Sequence, residues 1–267
     1  MSRKKGALAA LTRFIFIVLI VMVSSASAQK QKKVEDMTPE EKQARMNELL
    51  QKKKDMDQKK AATVEASRPT GQSLDEIVTR YEKLLEQCAV RKSDRCADVM
   101  FTLGSLYYDQ GRDDFVKAVE NHDGAIKAWE RTGRGNAPPP PIPDYNKALR
   151  MYWQLTREYP SFNKLPEAFT QMANIYLVAG ALDTTKIILQ QLVQRFPNSP
   201  RVSGAHFRLA DLAFMDHNFS EALKHLEKVK QNEIDPISWE MAQYRRAECA
   251  YNLGDFDKAV ELFHNYV

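Results

Sequence analysis

Residues 169–214 read FTQMANIYLVAGALDTTKIILQQLVQRFPNSPRVSGAHFRLADLAF. The stretch contains one complete repeat, which consists of two helical patterns joined by a turn, and then the start of the next repeat. Ala173 lies in the first pattern with large apolar neighbours, Leu189 lies in the second, and Ala210 repeats the position of Ala173. Two antiparallel helices approach closely only where one presents a small residue and the other fills the gap with a large one. The stretch therefore predicts a repeat of paired helices.

This repeat pattern occurs four times between Cys96 and Val267. The small residues of the four first helices are Gly104, Ala173, Ala210 and Ala247, and the second helices carry the pairs Ala148/Tyr152, Thr185/Leu189, Ala222/Leu226 and Ala259/Phe263. The last three small residues are 37 positions apart (210 − 173 and 247 − 210), slightly more than the period of about 34 in the commonest helical repeat of this kind. We predict an all-α solenoid of about four helix-turn-helix units over residues 96–267.

The pattern resembles the tetratricopeptide (TPR) repeat, with its W-x2-L-G-x2-Y, A-x3-F and P positions. An aromatic residue followed by proline precedes two of the repeat units, at Tyr159-Pro160 and Phe196-Pro197. Such units are similar to those of TPR proteins of the bacterial envelope, which are BamD-like or associated with the Tol-Pal system. The resemblance covers roughly residues 96–267. It implies a non-catalytic scaffold that binds protein or peptide partners. No cysteine lies near a leader cleavage site, so the lipid anchor of BamD-like proteins is not indicated.

Residues 1–28 have the pattern of a secretory leader. Four basic residues and no acidic one accompany an apolar run from Phe14 to Val23, and a small-residue motif ends at Ala28. An uncleaved anchor is the alternative, but the run is much shorter than the roughly 20 apolar residues of a spanning helix. We predict export, cleavage after Ala28, and a periplasmic or outer-membrane-associated protein.

The net positive charge of the sequence comes from the leader. The chain has 39 basic and 35 acidic residues, and the leader holds four of the basic ones, which leaves 35 against 35. A neutral chain lacks the basic surface of a nucleic-acid-binding protein. We therefore expect no nucleic-acid partner and only indirect membrane association.

Residues 29–72 form a charged segment without aromatic residues, which predicts a partly helical or disordered linker. A capping box with proline at the first helical position begins at Thr38. A thin apolar stripe follows it, consisting of Met46, Leu49, Leu50 and Met56. Two interpretations stay open: a solvated spacer, or an arm that offers a helix to a partner.

Residues 73–95 are predicted to form a lead helix and a loop that cover the first end of the array. Ser73 and Glu76 make a second capping box at the start of this helix. Cys88 ends the helix and Cys96 begins the next, so an antiparallel hairpin could bring the two thiols together; bridged and unbridged states both stay open. Cys249 is interpreted as a small buried apolar residue.

The first unit is interrupted by an insertion at residues 112–144. Residues 113–131 have the apolar spacing of an amphipathic helix, and residues 138–143 are mostly proline, which predicts an extended return. The apolar seam consists of Phe115, Val119, His122, Ile126 and Trp129. The seam could pack on the chain's own first helices, or Phe115, Val119, Ile126 and Trp129 could form a docking arm for another protein.

The sequence contains little that suggests catalysis. The five histidines show no zinc-ligand spacing, and neither a phosphate-binding glycine loop nor a nucleophile elbow occurs. We expect no catalytic residues, no metal and no cofactor. The open alternatives to a scaffold are an envelope enzyme accessory or hydrolase, and a structural spacer.

The resemblance also implies where partners bind, because the first helices of TPR arrays line a concave groove. The residues expected on that face are Phe101, Tyr108, Asn174, Phe207, Arg208, Asp211, Phe214, Tyr244, Arg245, Glu248 and Tyr251. Asn174, Arg208 and Arg245 partly match the family's clamp for peptide carboxylates. Aromatic anchors with guanidinium groups suit an extended peptide or a helix, and other envelope proteins are the expected partners.

The last helical pattern is apolar on one side through Val260, Phe263, Tyr266 and Val267. A solenoid end normally carries a polar capping helix. We expect this surface to be covered, either by further residues of the chain or by self-association.

Overall fold

The computed structural model describes residues 44, 47–49, 51, 52, 55, 73–90 and 93–266. The leader, its cleavage site and the capping box at Thr38 lie outside the described residues. The helices are α1 (Leu74–Val90), α2 (Asp94–Thr132), α3 (Asn146–Glu158), α4 (Leu165–Val178), α5 (Leu182–Arg195), α6 (Val202–Met215), α7 (Phe219–Leu226), α8 (Pro236–Asn252) and α9 (Phe256–Tyr266), with a short 3-10 turn at Gln231–Glu233. No strand occurs among the described residues. The all-α prediction is confirmed.

The helices form four successive pairs, α2/α3, α4/α5, α6/α7 and α8/α9, and each pair packs on the next. The small residues of the first helices are buried: Ala173, Ala210 and Ala247 are at most 1% exposed. At Gly104 the two helices are so close that a Cβ there would lie 2.7 Å from Cε1 of Tyr152. The predicted small-to-large register therefore sets the helix pairs of the solenoid.

The lead helix α1 begins at the predicted capping box. The backbone N–H of Ser73 donates to Oε2 of Glu76 at 3.0 Å, and the N–H of Glu76 donates to Oγ of Ser73 at 3.2 Å. Cys88 near the end of α1 forms a disulfide with Cys96 in the first turn of α2, with Cα atoms 5.7 Å apart. This bond ties the lead helix to the first repeat unit.

Helix α2 contains the helix predicted within the insertion. Residues 113–131 are helical, and they continue the preceding helix, because α2 extends without a break from Asp94 to Thr132. Gly111 does not end the helix; instead it lets the returning chain cross close by, since a Cβ there would lie 2.5 Å from the carbonyl oxygen of Asp144. The helix ends at Gly133, which has the left-handed φ of 59° that glycine adopts easily.

The chain returns along α2 through the proline-rich segment. Nε1 of Trp129 donates to the carbonyl oxygen of Gly135 at 3.0 Å, and Nε2 of His122 lies 3.1 Å from the carbonyl oxygen of Pro138. Proline carbonyls are available for such bonds because extended proline segments have no internal hydrogen bonds. The seam of α2 is therefore bonded to the chain's own return segment.

Buried side chains form two clusters. The first extends from α1 to α6 and includes Tyr152 and Phe169, both fully buried. The second extends from α6 to α9 and also contains Leu49, which lies far upstream in the sequence and is fully buried. The burial of Leu49 is not what a solvated spacer would show. Among the described helices, none is long and apolar enough to cross a membrane.

Candidate protein-binding groove

The predicted groove residues lie on the first helices of the four pairs, α2, α4, α6 and α8. Most are partly exposed: Phe101, Tyr108, Asn174, Arg208, Asp211, Phe214, Arg245 and Glu248. Tyr251 is 59% exposed and contacts Phe256 with ring centroids 5.5 Å apart. The face is therefore accessible over much of its length, and the kinds of side chain on it differ from one unit to the next.

Two of the predicted groove residues are not exposed. Phe207 is 6% exposed and Tyr244 is 3% exposed, and both belong to the second core cluster. Tyr244 packs edge-on against Phe263, with ring centroids 5.7 Å apart. Their assignment to the solvent side is wrong, because register on one helix does not reveal what another segment places over that face.

The groove of the first unit is bordered by aromatic rings that already have partners within the chain. The Tyr108 ring stacks on Tyr145 at 4.9 Å between centroids, and Phe101 contacts Tyr152 and Phe162. Burial raises the pKa of Tyr108 above its ordinary value. In the second unit, Nδ2 of Asn174 donates to Oε1 of Gln171 at 3.5 Å. These contacts fix the upstream half of the face.

The two arginines have different surroundings. The guanidinium carbon of Arg245 lies 4.2 Å from the centroid of the Phe214 ring, and its Nη1 donates to Oε2 of Glu248 at 2.8 Å. Its Nε lies 3.9 Å from Oδ1 of Asp211. Burial raises the pKa of Glu248, and Arg245 opposes that shift. Arg245 therefore links the third and fourth units, whereas sequence spacing alone placed it on the solvent side.

Arg208 borders a cavity of about 450 Å³ between the second and third units. Leu177 of α4 and Leu189 of α5 supply apolar wall on one side, and Phe207 and Asp211 of α6 line the other. Glu233, Ile234 and Asp235 before α8, together with Ser238 in the first turn of α8, complete the lining. The cavity combines apolar walls with a guanidinium and several carboxylates, a combination that suits a peptide segment with mixed side chains.

The predicted docking-arm residues lie on the second half of α2. Phe115, Ile126 and Trp129 are partly buried, and Val119 is 37% exposed. The indole of Trp129 is held by the hydrogen bond to Gly135. The seam faces the return segment along part of its length, and its role in binding another protein stays a prediction.

A histidine pair between α6 and α7 was missed by the sequence reasoning. Nδ1 of His206 lies 2.9 Å from Nδ1 of His225. Burial first, and then the neighbouring His225, lower the pKa of His206 from 6.5 to about 4. Burial likewise lowers the pKa of His225, which Glu221 opposes. The signal was available, because His206 occupies the register of the apolar Met100 and Phe169. In the described part of the chain, no three His, Cys, Asp or Glu side chains are grouped as metal ligands would be.

The apolar side of the last helix is only partly open. Phe263 is 8% exposed and packs in the second cluster, whereas Val260 is 59% exposed. Phe263 therefore belongs to the core, as its place in the Ala259/Phe263 pair predicted, and it is not part of an open surface. Among the described side chains, Val260, Leu253 and Phe256 are exposed apolar residues of this end.

The fold defines a class of protein, the all-helical solenoid built from helix-turn-helix units. The family model of the tetratricopeptide repeat matches residues 167–199 and 241–267, which are the second and fourth units. The match supports a TPR protein. TPR units generally mediate protein–protein interaction, and their fold is typically that of a non-catalytic scaffold. No curated protein matches the sequence of this chain.

Solved structures with the same kind of repeat include nearly identical TPR-like repeats of a protein described as a kinesin light chain from Podosopora anserina. It is 16% identical, with 72% of this chain and 85% of that chain covered and a TM-score of 0.41. BtubC (BKLC) from P. vanneervenii is 15% identical, with 73% and 90% covered and a TM-score of 0.39. Because both TM-scores lie below 0.5, neither likeness bears on function.

Proposed function

We propose that this protein is an exported scaffold without catalytic activity that binds protein or peptide partners in the bacterial cell envelope. The leader pattern of residues 1–28 supports export to the periplasm or outer membrane. The resemblance of the stretched units to BamD-like and Tol-Pal-associated TPR proteins supports a role in envelope assembly, division or surface machinery. Partners bind along the face formed by α2, α4, α6 and α8.

The observation that carries this proposal is the cavity beside Arg208. It opens where two repeat units meet, and its lining includes apolar walls, a guanidinium and carboxylates. A guanidinium presents a planar fork of donors that matches carboxylates and backbone carbonyls. Arg208 is therefore the residue of this face that we assign to the partner, while Arg245 stabilises the junction of the third and fourth units.

The test compares Arg208→Ala with Lys224→Ala, which removes the same charge from an exposed position on the second helix α7. Each purified variant is used to capture proteins from envelope extract, and retained proteins are quantified by mass spectrometry. We expect Arg208→Ala to lose the proteins that the unaltered chain retains, by about tenfold or more, as for a residue worth over 1.4 kcal/mol at an interface. Lys224→Ala retains them, and circular dichroism shows both variants equally helical.

Equal capture by Arg208→Ala and the unaltered chain would contradict binding at this cavity. A matched substitution on α2, Val119→Asp, then asks whether the exposed part of the α2 seam is the binding element instead. Loss of capture only in Val119→Asp would assign the partner to the docking arm.

A further inference from the structure

The described residues between 44 and 55, here called the N-terminal arm, are helical. Contacts one helical turn apart hold the arm: Nζ of Lys52 lies 2.6 Å from Oε1 of Glu48, and Nε2 of Gln51 donates to Oδ1 of Asp55 at 2.9 Å. Six of the seven described residues of the arm are exposed, and Leu49 alone is fully buried. Among the described residues of the arm, Leu49 is the one that lies in the core, and Glu48, Gln51 and Lys52 beside it are exposed.

Leu49 lies in the second core cluster together with Phe207 and Tyr244. Phe207 and Tyr244 occupy the same register in the third and fourth units, on the face where partners of a TPR array are expected. The residues at that register in the first two units, Phe101 and Thr170, are partly exposed. The register is thus buried only in the half of the array whose core cluster contains Leu49, and there Tyr244 also packs on Phe263 of α9.

We propose that the face of the third and fourth units formed by α6 and α8 is a docking site for an amphipathic helix with a leucine anchor, and that the N-terminal arm occupies it in the free protein. This inference rests on the proposed function and names the chemistry of the partner. A partner helix carries a leucine at the position of Leu49 and polar, charged residues around it. The partner and the arm then compete for one site.

The physical basis is the difference between a tethered and a free ligand. A short helix is only marginally stable by itself, but a segment of the same chain is present at an effective concentration on the order of millimolar. A weak helix therefore occupies the site when it is tethered, and a free partner with additional contacts displaces it. The arm shields the apolar face of the free protein and lowers the apparent affinity for partners.

The first test measures side-chain accessibility at Phe207 by hydroxyl-radical footprinting of the full chain. Leu49→Asp places a carboxylate where the leucine is buried, and we expect the oxidation rate at Phe207 to rise several-fold. Ala44→Asp introduces the same group at an exposed position of the arm, and we expect no rise. Circular dichroism verifies that both variants stay folded; should Leu49→Asp lose helicity, Leu49→Ala replaces it, because it removes the anchor without adding a charge.

The second test supplies the arm as a separate molecule. A fluorescent peptide of residues 38–60 is titrated into the full chain, and its anisotropy is measured. We expect the peptide to bind Leu49→Asp chain about tenfold or more tightly than unaltered chain, because the site is free only in the variant. The same peptide with Leu49→Asp does not bind either chain.

Unchanged oxidation at Phe207 in a folded Leu49 variant, or absence of peptide binding to that variant, would overturn this inference and leave the Arg208 comparison untouched. Protection of Phe207 that increases with protein concentration would assign the site to the arm of a second copy, which also overturns the occupant proposed here. If the arm is displaced as expected while Arg208→Ala captures partners normally, the docking site stands and the assignment of partners to the Arg208 cavity fails.

Discussion

The first and third repeat units place different side chains at the same two register positions. Met100 on α2 and Met151 on α3 fill the space in the first unit, and His206 on α6 and His225 on α7 fill it in the third. Met100, Met151 and His206 are all buried, and the side chain of His225 is only 17% exposed. The helix pair requires volume at this position rather than an apolar surface, because two imidazoles can satisfy one another by a hydrogen bond.

The closest helix approach also differs between these units. In the first, the Tyr152 ring covers Gly104, and its hydroxyl lies 3.1 Å from Oγ of Ser105. In the third, Ala210 takes the place of the glycine, and Leu226 takes the place of the tyrosine. A larger side chain on the second helix is thus matched by a smaller residue on the first.

The largest expected effect is at Tyr152, which is fully buried. Tyr152→Ala removes a whole ring from the first cluster and leaves a cavity above Gly104, so we expect a loss of about 3–5 kcal/mol in the free energy of unfolding. Urea denaturation followed by circular dichroism measures it. Tyr251→Ala, at a position 59% exposed, should cost less than about 1 kcal/mol. Similar losses at both positions would contradict the packing of the first unit.

The packing positions of Gly104 and Ala210 were predictable from the sequence. They follow from the local spacing on each helix and from the matched volumes of the small residue on the first helix and the large residue on the second. The continuation of α2 was not predictable in the same way. Glycine is compatible with a helix end and with a close crossing, and at Gly111 the crossing of residue 144 decides between them. Contacts from distant segments are not encoded in local periodicity.

The second prediction uses the histidine pair, which distinguishes the third unit from the first. Burial first, and then the neighbouring His225, hold the pKa of His206 at about 4 in the folded protein, below its ordinary value of 6.5, so the unfolded chain binds the proton more readily. Stability is therefore complete above pH 6.5 and falls as the pH drops toward 4. At about 1.4 kcal/mol per pKa unit, the loss is about 3 kcal/mol. Lys228 and Lys186 disfavour the charged pair, and Glu221 favours it.

The measurement is urea unfolding between pH 7 and pH 4. His206→Met with His225→Met gives the third unit the side chains of the first, and we expect it to remove this part of the acid loss while stability at pH 7 changes little, since both hydrogen-bonding partners are replaced together. His217→Asn is the control, because that exposed residue has a φ of 56°, which asparagine accepts. An unchanged acid loss in the double variant would show that other groups cause it.

The candidate groove could be predicted only in part. The helices that line it follow from the repeat, and Arg208 lies on one of them beside a cavity. The burial of Phe207 could not be predicted, because the second cluster includes Leu49 from a segment with a weak pattern of its own. The stacking of Arg245 on Phe214 likewise depends on how two units are placed relative to each other.

The third prediction tests the small residue of the third unit. Ala210 is 1% exposed and lies in the second cluster with Leu226. Ala210→Leu inserts a side chain where no space is present, so we expect a loss of about 1–3 kcal/mol by urea denaturation. Ala44→Leu adds the same atoms at an exposed helical position and should change stability by less than about 0.5 kcal/mol. A stable Ala210→Leu protein would contradict the register of the whole array.

The smallest expected effect concerns Gly104, where substitutions can give the first unit the packing residues of the third. A Cβ at Gly104 meets the Tyr152 ring at 2.7 Å, and the ring is confined because it is fully buried and its hydroxyl is bonded to Ser105. Overpacking costs about 1–3 kcal/mol, and alanine regains about 0.5–1 kcal/mol of helix stability over glycine. We therefore expect Gly104→Ala to destabilise the protein by about 1 kcal/mol.

Gly124 lies on the same helix with no atom near its missing Cβ, so Gly124→Ala should stabilise the protein by about 0.5–1 kcal/mol. In Gly104→Ala with Tyr152→Leu, the first unit acquires the alanine and leucine of the third. The cost of the alanine should then disappear, because the ring that it contacts is gone and the two changes are coupled. A double-mutant cycle measured by urea denaturation gives the coupling. If Gly104→Ala is as harmless as Gly124→Ala in the presence of Tyr152, the tyrosine is not what requires glycine in the first unit.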